Sequence, residues 1–265
     1  MSRRRPVRAW LGTPAPVDPA ELLGPRGLTE EVLRGDGADD AEVAEGADEG
    51  PADAFYGSLL TGARLARIES VIAARLASVT LVLDRLLDPH NVAAALRTAE
   101  GLGLLRMHVV PHEERDLVAH RRVTQDAEKW IEVEAHGTGA QAARTLSSRG
   151  FAVYAGHLDA RAVPLSQLPV DTPIALLFGN EHEGPSTETL GACAGTFRIP
   201  MGGFTQSFNV SVAAAIALSR VAEARRAFLG AAGDLDAPGR AALRSRYLRL
   251  AAKLARRIRN PPGRP

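Results

Sequence analysis

Short apolar runs separated by helical patterns dominate the central part of the chain. The runs cover residues 79–83, 107–110, 152–154, 174–178 and 197–200. Each run is apolar throughout instead of alternating with polar residues, which is typical of strands buried on both faces of a sheet. Helical spacing predicts helices over residues 91–102, 138–149, 186–193 and 209–229. Strands that alternate with helices predict an α/β fold, a parallel sheet flanked by helices.

Two amphipathic patterns flank this region. The first covers residues 58–77 and carries leucine and isoleucine on one face, with arginines opposite. The second covers residues 240–259, and its apolar stripe consists of Leu243, Tyr247, Leu250, Leu254 and Ile258. Arginine and lysine occupy the other faces of the second pattern. We therefore expect helical arms at both ends of the central domain, the C-terminal one strongly basic.

The N-terminal region differs in composition from the rest. Residues 30–53 contain ten acidic residues and one arginine, with few large apolar side chains. Such a segment cannot bury enough apolar surface to offset the entropy lost on ordering. The sequence therefore predicts an acidic, disordered extension over residues 1–57, a central domain over 58–230 and a basic helical arm over 231–265.

Charge is unevenly distributed along the chain. The formal net charge is +1, yet residues 220–265 carry 12 basic residues against three acidic ones. Arginine suits phosphate groups, so this segment indicates a polyanionic partner. The alternative is an ordinary solvated helix face.

Composition also excludes several classes of protein. No apolar run reaches the ~18 residues of a transmembrane helix. The N-terminus has a basic tip without the apolar stretch of a secretory signal. Cys193 is the single cysteine, which excludes an internal disulfide framework and a multi-cysteine metal site. We expect a cytoplasmic protein without membrane contact, in which Cys193 is a small buried apolar side chain.

Polar segments follow several predicted strands, at the sheet edge where parallel α/β proteins bind ligands. After the first strand, Asn91 is a candidate helix N-cap, and Arg97 and Glu100 are spaced to pair on that helix. After the fourth strand come Glu181, His182 and Glu183 between two glycines. Two carboxylates could act as acid and base, whereas a metal site is disfavoured because His182 lacks a second histidine four residues on. An ordinary strand-to-helix turn is the alternative.

The segment after the fifth strand combines a Gly-Gly loop with small polar residues. Ser207, Asn209 and Ser211 lead into an alanine-rich helix. Their side chains and the free amides of the helix start offer donors to a carboxylate or a phosphate. The phosphate-binding P-loop pattern is absent, and no glycine-rich loop follows the first strand. Neither a nucleoside triphosphate site nor a dinucleotide site of the usual kind is therefore expected.

Together, these segments resemble the SpoU/TrmH branch of the SPOUT RNA methyltransferases. The family's three motifs are matched in order by NVAAALRTAE at 91–100, LFGNEHEG at 177–184 and IPMGGFTQSFNVSVA at 199–213. The similarity is greatest to the tRNA guanosine 2′-O-methyltransferases of the TrmH type. The amphipathic pattern at 58–77 and the basic C-terminal tail also fit that subgroup.

The resemblance implies a C-terminal deep trefoil knot that binds S-adenosylmethionine, and a homodimer. Knots are too rare to be predicted from general topology rules. The positions that match the family's cofactor site are Gly156, Gly179, Ile199, Met201, Phe208 and Asn209. Phe208 stands where the family usually has leucine, and residues 124–127 replace a more Ser/Gly-rich stretch.

The implied reaction is methylation of a ribose 2′-oxygen in tRNA, most closely that of guanosine 18 in the D-loop. The sulfonium methyl group is already activated, so no metal is required and positioning is the main task. The matching catalytic positions are Asn91, Arg97, Glu181, Ser207 and Asn209. The family assigns proton removal to the residue at Arg97, and an RNA phosphate would assist because guanidinium stays protonated at ordinary pH. The expected RNA-binding residues are Lys129, Arg256, Arg257 and Arg259.

Three alternatives remain open at this point. A ribosomal RNA 2′-O-methyltransferase of the same family often carries a folded N-terminal RNA-binding domain, for which residues 1–57 are short and acidic. A catalytically silent RNA-binding protein would not need the intact set of motif residues. A flavodoxin-like protein would bind flavin and be coloured.

Overall fold

The computed structural model of the protein describes residues 51–112 and 129–259. These residues belong to two compact units. Among the described residues, one unit combines those up to Ser70 with those from Ala237 onward, and the other consists of those between Val71 and Asp236. The disorder predicted for most of the N-terminal extension, at residues 1–50, lies outside the described residues, as do residues 124–127.

Seven parallel strands form one sheet in the described part of the second unit. They are β1 Val79–Asp84, β2 Arg106–Val110, β3 Glu132–Ala135, β4 Ala152–Gly156, β5 Val163–Pro164, β6 Ile174–Phe178 and β7 Gly195–Arg198. Their order across the sheet is β3-β2-β1-β6-β4-β7-β5, and every neighbouring pair is parallel. The predicted parallel α/β sheet is confirmed.

The described residues also form α-helices in both units. They are α1 Pro51–Ser58, α2 Gly62–Ala73, α3 Pro89–Gly101, α4 Gly139–Ser148, α5 Thr187–Ala192, α6 Val210–Leu229 and α7 Ala237–Arg259. None of these helices is long and apolar enough to cross a bilayer.

Alternate residues of each buried strand belong to different hydrophobic cores. Leu81 and Leu83 of β1 pack in one core with Leu218 and other residues of α3 and α6. Val82 packs in the other core with Leu146 of α4. Because successive strand residues point to opposite faces, a continuous apolar run implies helices on both sides of the sheet.

The beginning and end of the second unit are joined by Asp234. Its carboxylate accepts hydrogen bonds from the amides of Ala77 and Ser78, at 2.5 and 3.2 Å, immediately before β1. The Ser78 hydroxyl also bonds to this carboxylate and accepts a bond from Arg225 Nε at 2.9 Å. The strand that starts the sheet is thereby fixed to the segment that follows the last helix of the unit.

In the first unit, α1 packs against α7. The Ser245 hydroxyl of α7 bonds to the carboxylate of Asp53, which is buried on α1. Arg244 Nε of α7 donates to Glu69 Oε1 at 2.6 Å. Residues 51–57, which the sequence assigned to the acidic extension, therefore lie within helix α1.

The apolar stripe of α7 is rotated slightly from the predicted one. Leu243 and Tyr247 are buried as expected, but Leu250 and Leu254 are half-buried. The buried stripe continues instead through Leu248, Ala251, Ala252 and Ala255. Ile258 lies in α7, and its side chain falls outside the described part of the chain.

Two predicted elements have different limits in the structure. The helical pattern predicted at 58–77 is shorter in the structure and forms α2, Gly62–Ala73. Thr61 Oγ1 accepts from the Arg64 amide at 3.2 Å where this helix begins. The predicted last strand ends at Arg198, two residues early. Pro200 has no N–H with which to extend a strand ladder.

The predicted N-cap at Asn91 is wrong. Asp88 caps α3 by accepting a hydrogen bond from the His90 amide at 2.8 Å, and Pro89 occupies the first turn. Proline is favoured there because the first helical amides have no partner within the helix. Asn91 is buried within α3 and is free to bond elsewhere.

Candidate active site

The loop after β6 is a tight turn at the carboxyl edge of the sheet. The Asn180 side chain accepts hydrogen bonds from the amides of His182 and Glu183, at 2.9 and 3.2 Å. The Gly184 amide donates to the Asn180 carbonyl at 2.8 Å, and Gly184 adopts φ +69°. This left-handed conformation favours glycine. The closed turn fixes the position of Glu181.

Three predicted site residues form a continuous hydrogen-bonded chain. Asn91 Nδ2 donates to Glu181 Oε1 at 3.0 Å, and Asn209 Nδ2 donates to Asn91 Oδ1 at 3.0 Å. The Leu87 amide donates to Glu181 Oε2 at 3.0 Å. Partial burial alone would raise the pKa of Glu181, but the hydrogen bonds from Leu87 and Asn91 outweigh it and hold this pKa below its usual range. Glu181 is therefore ionised at neutral pH.

Asn209 joins this chain to the start of α6. Its Oδ1 accepts hydrogen bonds from the amides of Ser211 and Val212, at 2.9 and 3.4 Å, and from the Ser211 hydroxyl at 2.6 Å. Asparagine is a favoured N-cap for this reason. Because Oδ1 is committed to the helix, Nδ2 is directed toward Asn91. One side chain thus links segments that are 118 residues apart.

A cavity of about 570 Å³ lies beside this hydrogen-bonded chain. All the residues predicted to hold the cofactor line it: Gly156, Gly179, Ile199, Met201, Phe208 and Asn209. Phe178 and Phe197 add an apolar wall, with their rings edge to face at 5.7 Å. A Cβ at Gly156 would lie 3.1 Å from the Phe178 ring. Glycine therefore allows the Phe178 ring to pack closely against β4.

The predicted catalytic residues divide between the cavity and its surroundings. Glu181, Ser207 and Asn209 line the cavity, and Asn91 is joined to two of them by hydrogen bonds. Arg97 does not line the cavity and is exposed on α3. Within residues 51–112 and 129–259 it has no hydrogen-bond or ion-pair partner. Its guanidinium is therefore available to an incoming molecule.

The pairing of Arg97 with Glu100 is not formed, because Glu100 binds Arg75. Arg75 is fully buried and donates to Glu100 Oε1 at 2.9 Å, with further bonds to the carbonyls of Leu104 and Trp130 at 2.9 and 3.0 Å. A buried guanidinium is costly without a partner, whereas an exposed one is solvated by water. Glu100 therefore pairs with the buried Arg75 and not with the exposed Arg97.

The residues expected to bind RNA belong to other elements of the chain. Lys129 precedes β3 and is half-buried. Arg256, Arg257 and Arg259 belong to α7, and their side chains fall outside the described part of the chain. Their role stays a prediction.

Sequence reasoning missed several residues at the site, including the aromatic walls Phe178 and Phe197. His157 and Leu158 follow β4 and line the cavity, which the rule about segments after strands would have found. Arg85, directly after β1, accepts a hydrogen bond on its carbonyl from Asn180 Nδ2 at 3.0 Å and has φ 56°. No sequence signal marks Arg85, since this conformation is uncommon for residues other than glycine and asparagine.

Comparison with known proteins identifies the family. Residues 78–219 match the SpoU rRNA Methylase family, a span that contains every element of the candidate site. The chain belongs to the SpoU methylase family.

Its relatives include named enzymes. The chain is 38% identical over 158 residues to tRNA (guanosine(18)-2′-O)-methyltransferase from Thermus thermophilus. The aligned region covers 60% of this chain and 81% of that protein. It is 33% identical over 156 residues to the enzyme of the same name from Escherichia coli K12. That alignment covers 58% of this chain and 67% of the E. coli enzyme.

Solved structures show the same fold. The TrmH/SpoU tRNA modifying enzyme of Aquifex aeolicus superposes with a TM-score of 0.63 at 27% identity, over 72% of this chain and 96% of that one. An AdoMet-bound rRNA methyltransferase from Sinorhizobium meliloti superposes with a TM-score of 0.51 at 26% identity, over 59% of this chain and 60% of that one.

Proposed function

We propose that this protein transfers the methyl group of S-adenosylmethionine to the 2′-oxygen of guanosine 18 in tRNA. The observation that carries the proposal is the hydrogen-bonded chain from Glu181 through Asn91 to Asn209, which unites the three motifs beside one cavity. The named activity of relatives that are 38% and 33% identical across this region supports the substrate.

The cavity suits S-adenosylmethionine in size and chemistry. Its volume of about 570 Å³ falls in the range of small-molecule sites, roughly 300–1,000 Å³. The Phe178 and Phe197 walls suit a flat base, and the backbone and polar side chains of the segment 206–209 suit polar groups. Glycine at 156 lets the Phe178 ring lie close to the backbone, where a Cβ would press on it. The AdoMet-bound state of the Sinorhizobium meliloti relative supports the same choice of ligand.

The bound sulfonium would supply an activated methyl group, so the residues of this chain have to position the ribose and manage one proton. We propose that Glu181 acts as a fixed negative anchor that orients Asn91, and that Asn91 and Asn209 hold the edge of the cavity rigid. Ser207 lines the cavity and can donate to the substrate. A preorganised site of this kind lowers the barrier by positioning.

Arg97 is proposed to act on the RNA from the solvent side of α3. Its side chain is exposed, and it has no ion-pair partner among the described residues. A guanidinium that stays protonated can orient the ribose and stabilise the oxygen as it loses its proton, with an RNA phosphate as the acceptor.

We further propose a homodimer. Val212 and Ile216 are one turn apart on α6 and expose 46% and 36% of their surface. Apolar side chains on one exposed helix face are typical of an interaction surface. The resemblance to SPOUT methyltransferases supports pairing of two copies of this chain through such a face.

The deep trefoil knot and the two helical arms are likewise proposals. The connection from β7 to α6 contributes Ile199, Met201 and Asn209 to the same cavity as the loops after β4 and β6, which supports a folded-back C-terminal segment.

The basic α7 supports an RNA-binding arm. A tRNA substrate and a single cysteine support a cytoplasmic location.

Methylation of RNA with labelled S-adenosylmethionine tests the function. Unmodified tRNA transcripts should accept one methyl group, and mapping should place it on the ribose of guanosine 18. A transcript with 2′-deoxyguanosine at that position is the matched control and should accept none. Label on tRNA at another nucleotide, or no transfer at all, would contradict the proposal.

A ribosomal RNA substrate is the second candidate. The matching family is described as an rRNA methylase family, and one structural relative is an rRNA methyltransferase. Parallel assays with tRNA-free ribosomal RNA distinguish the two substrates, and binding of RNA without transfer would indicate a silent RNA-binding protein.

A further inference from the structure

Two histidines and a glutamate lie together at the β2–β3 edge of the sheet. His108 of β2 is paired in register with Glu134 of β3, and His136 follows β3 directly. The His136 amide donates to the Val109 carbonyl at 3.0 Å, which extends the ladder and fixes its position. His108 and His136 are buried, and Glu134 is partly exposed. β1 separates these two strands from β6, where the cavity begins.

The three side chains present converging ligand atoms. His108 Nδ1 and His136 Nε2 share a hydrogen bond at 2.9 Å, so one of the two nitrogens carries a proton that a metal ion would displace. The Glu134 oxygens lie 3.8 Å from His108 Nδ1 and 3.7 Å from His136 Nε2. A tetrahedral Zn²⁺ with ligands at about 2.0–2.1 Å separates neighbouring ligand atoms by roughly 3.3 Å. Each separation therefore needs to change by only about half an ångström.

The three proposed ligands combine two imidazoles with one carboxylate. The Glu134 carboxylate supplies a negative charge that complements a divalent cation, and imidazole nitrogen is a common zinc ligand.

Two arginines, Arg149 and Arg106, place positive charge beside the cluster. Arg149 donates to both Glu134 oxygens, at 2.7 and 2.9 Å. A ligand carboxylate commonly keeps such an outer hydrogen bond, which orients it toward the ion. Arg106 is paired with Glu132 at 2.6 Å, and its guanidinium also lies 4.0 Å from a Glu134 oxygen.

We propose that His108, Glu134 and His136 bind one Zn²⁺ ion that joins β2 to β3. Imidazole and carboxylate ligands suit this metal, and a set of two histidines and one glutamate leaves the fourth position to water. The site is separate from the candidate active site and does not depend on the proposed methyl transfer.

Zinc titration of the chelator-treated full-length protein tests this site. In competition with a chromophoric chelator, the wild type should bind one Zn²⁺ per chain. His136→Gln, which keeps a hydrogen-bonding side chain, should weaken binding at least about 10–100-fold, the loss seen when even the supporting groups of a metal site are removed. Glu134→Gln should weaken it in the same direction. His112→Gln removes an exposed imidazole and should leave binding unchanged.

Spectroscopy provides a second readout, since buried substitutions can affect folding. Co²⁺ should give the intense visible absorption of a four-coordinate complex in the wild type, and circular dichroism should confirm that each variant is folded. Equal zinc affinity in the wild type and in His136→Gln would overturn the proposal. A weak spectrum typical of six-coordinate Co²⁺ would also overturn it.

Discussion

At the scale of single residues, Asn209 has the most connections in the candidate site. It caps α6 through Oδ1 and bonds Asn91 through Nδ2. We expect Asn209→Ala to weaken S-adenosylmethionine binding more than tRNA binding, because the side chain lines the cavity. Loss of the cap should also cost about 1 kcal/mol of stability. Calorimetry with each ligand measures the difference.

Ser211→Ala is the matched control for Asn209. Ser211 bonds to the same oxygen but does not line the cavity, so its replacement should leave cofactor affinity unchanged. Unchanged cofactor affinity in Asn209→Ala would show that the third motif does not hold the cofactor in this chain.

Arg97 is predicted to serve chemistry and not folding. Because it is exposed and has no partner among the described residues, Arg97→Ala should keep the wild-type melting temperature. Methyl transfer should fall roughly 10²-fold or more, the scale of a lost donor to a developing oxyanion. Single-turnover rates with saturating ligands measure the effect. Arg144→Ala is the control, since it removes another exposed arginine and should retain activity. Near-normal turnover of Arg97→Ala would show that Arg97 takes no part in the mechanism.

Cys193 is predicted to be unreactive. Burial and the nearby Asp84 carboxylate raise its pKa from 9.0 to about 11, and Sγ bonds to the Thr189 carbonyl at 3.2 Å. At neutral pH the thiolate fraction, and hence the alkylation rate, should be about 100-fold below that of a free thiol. Iodoacetamide labelling followed by mass spectrometry is unambiguous, since the chain has one cysteine. The urea-unfolded protein is the control, and a labelling rate that levels off below pH 9 would contradict the prediction.

At the residue level, the positions expected to hold the cofactor do line one cavity, because strand ends and glycine turns fix them. Arg97 does not line it, and the roles of all these residues stay predictions. Pairings were less predictable, since Glu100 is bound by Arg75, a residue 25 positions away that no local spacing reveals. Asn91 looked like a helix cap, although Asp88 is equally suitable and precedes a proline.

At the scale of elements, α7 combines an apolar stripe with a row of arginines. We expect replacement of Arg256, Arg257 and Arg259 together by Gln to weaken tRNA binding and to flatten the dependence of log K on log[salt]. Removal of each arginine that binds a phosphate should reduce the slope by roughly 0.7–0.9, while the methylated nucleotide and cofactor affinity stay the same. Binding isotherms at several salt concentrations measure the slope.

The matched control for α7 carries Arg144→Gln and Arg220→Gln, two exposed arginines that pair with Glu188 and Glu223. This variant removes the same kind of charge from other surfaces and should keep most of the salt slope. If the α7 variant retains the parental slope and affinity, the arm is a packing surface and RNA is held elsewhere.

Central elements were more predictable than edge elements. The strand at Ile174–Phe178 was predicted with its correct limits because it is buried on both faces and therefore apolar throughout. β3 at the sheet edge contains Glu132 and Glu134, which resemble a surface loop in sequence. β5 has two residues, too few for any periodicity.

At the scale of the whole molecule, two truncations separate the acidic extension from the helix that follows it. Deleting residues 1–50 should leave the melting temperature and methyl transfer unchanged, since no motif lies there. Deleting residues 1–58 also removes α1 and its buried Asp53, which bonds to Ser245. This longer deletion should destabilise α7 by about 1–3 kcal/mol, the cost of removing a buried hydrogen-bond partner. Thermal melts compare the two, and an insoluble 1–50 deletion would show that the extension is structural.

The arrangement of strands along the sheet exceeds what sequence patterns specify. Periodicity predicts that the strands are parallel and buried, but the order β3-β2-β1-β6-β4-β7-β5 depends on how distant segments pack. Periodicity specifies neither a knot nor a dimer, and both stay proposals that only the resemblance to a family indicates.

The hydrogen bonds of Asp234 to Ala77 and Ser78 bring the two ends of the second unit together. The chain therefore enters and leaves this unit at neighbouring points in space, although Ala77 and Asp234 are 157 positions apart in the sequence. Such a unit can be inserted into a host protein, or receive new appendages at either side, without stretching its sheet. Segments attached at either end can therefore differ in length and sequence without disturbing the sheet.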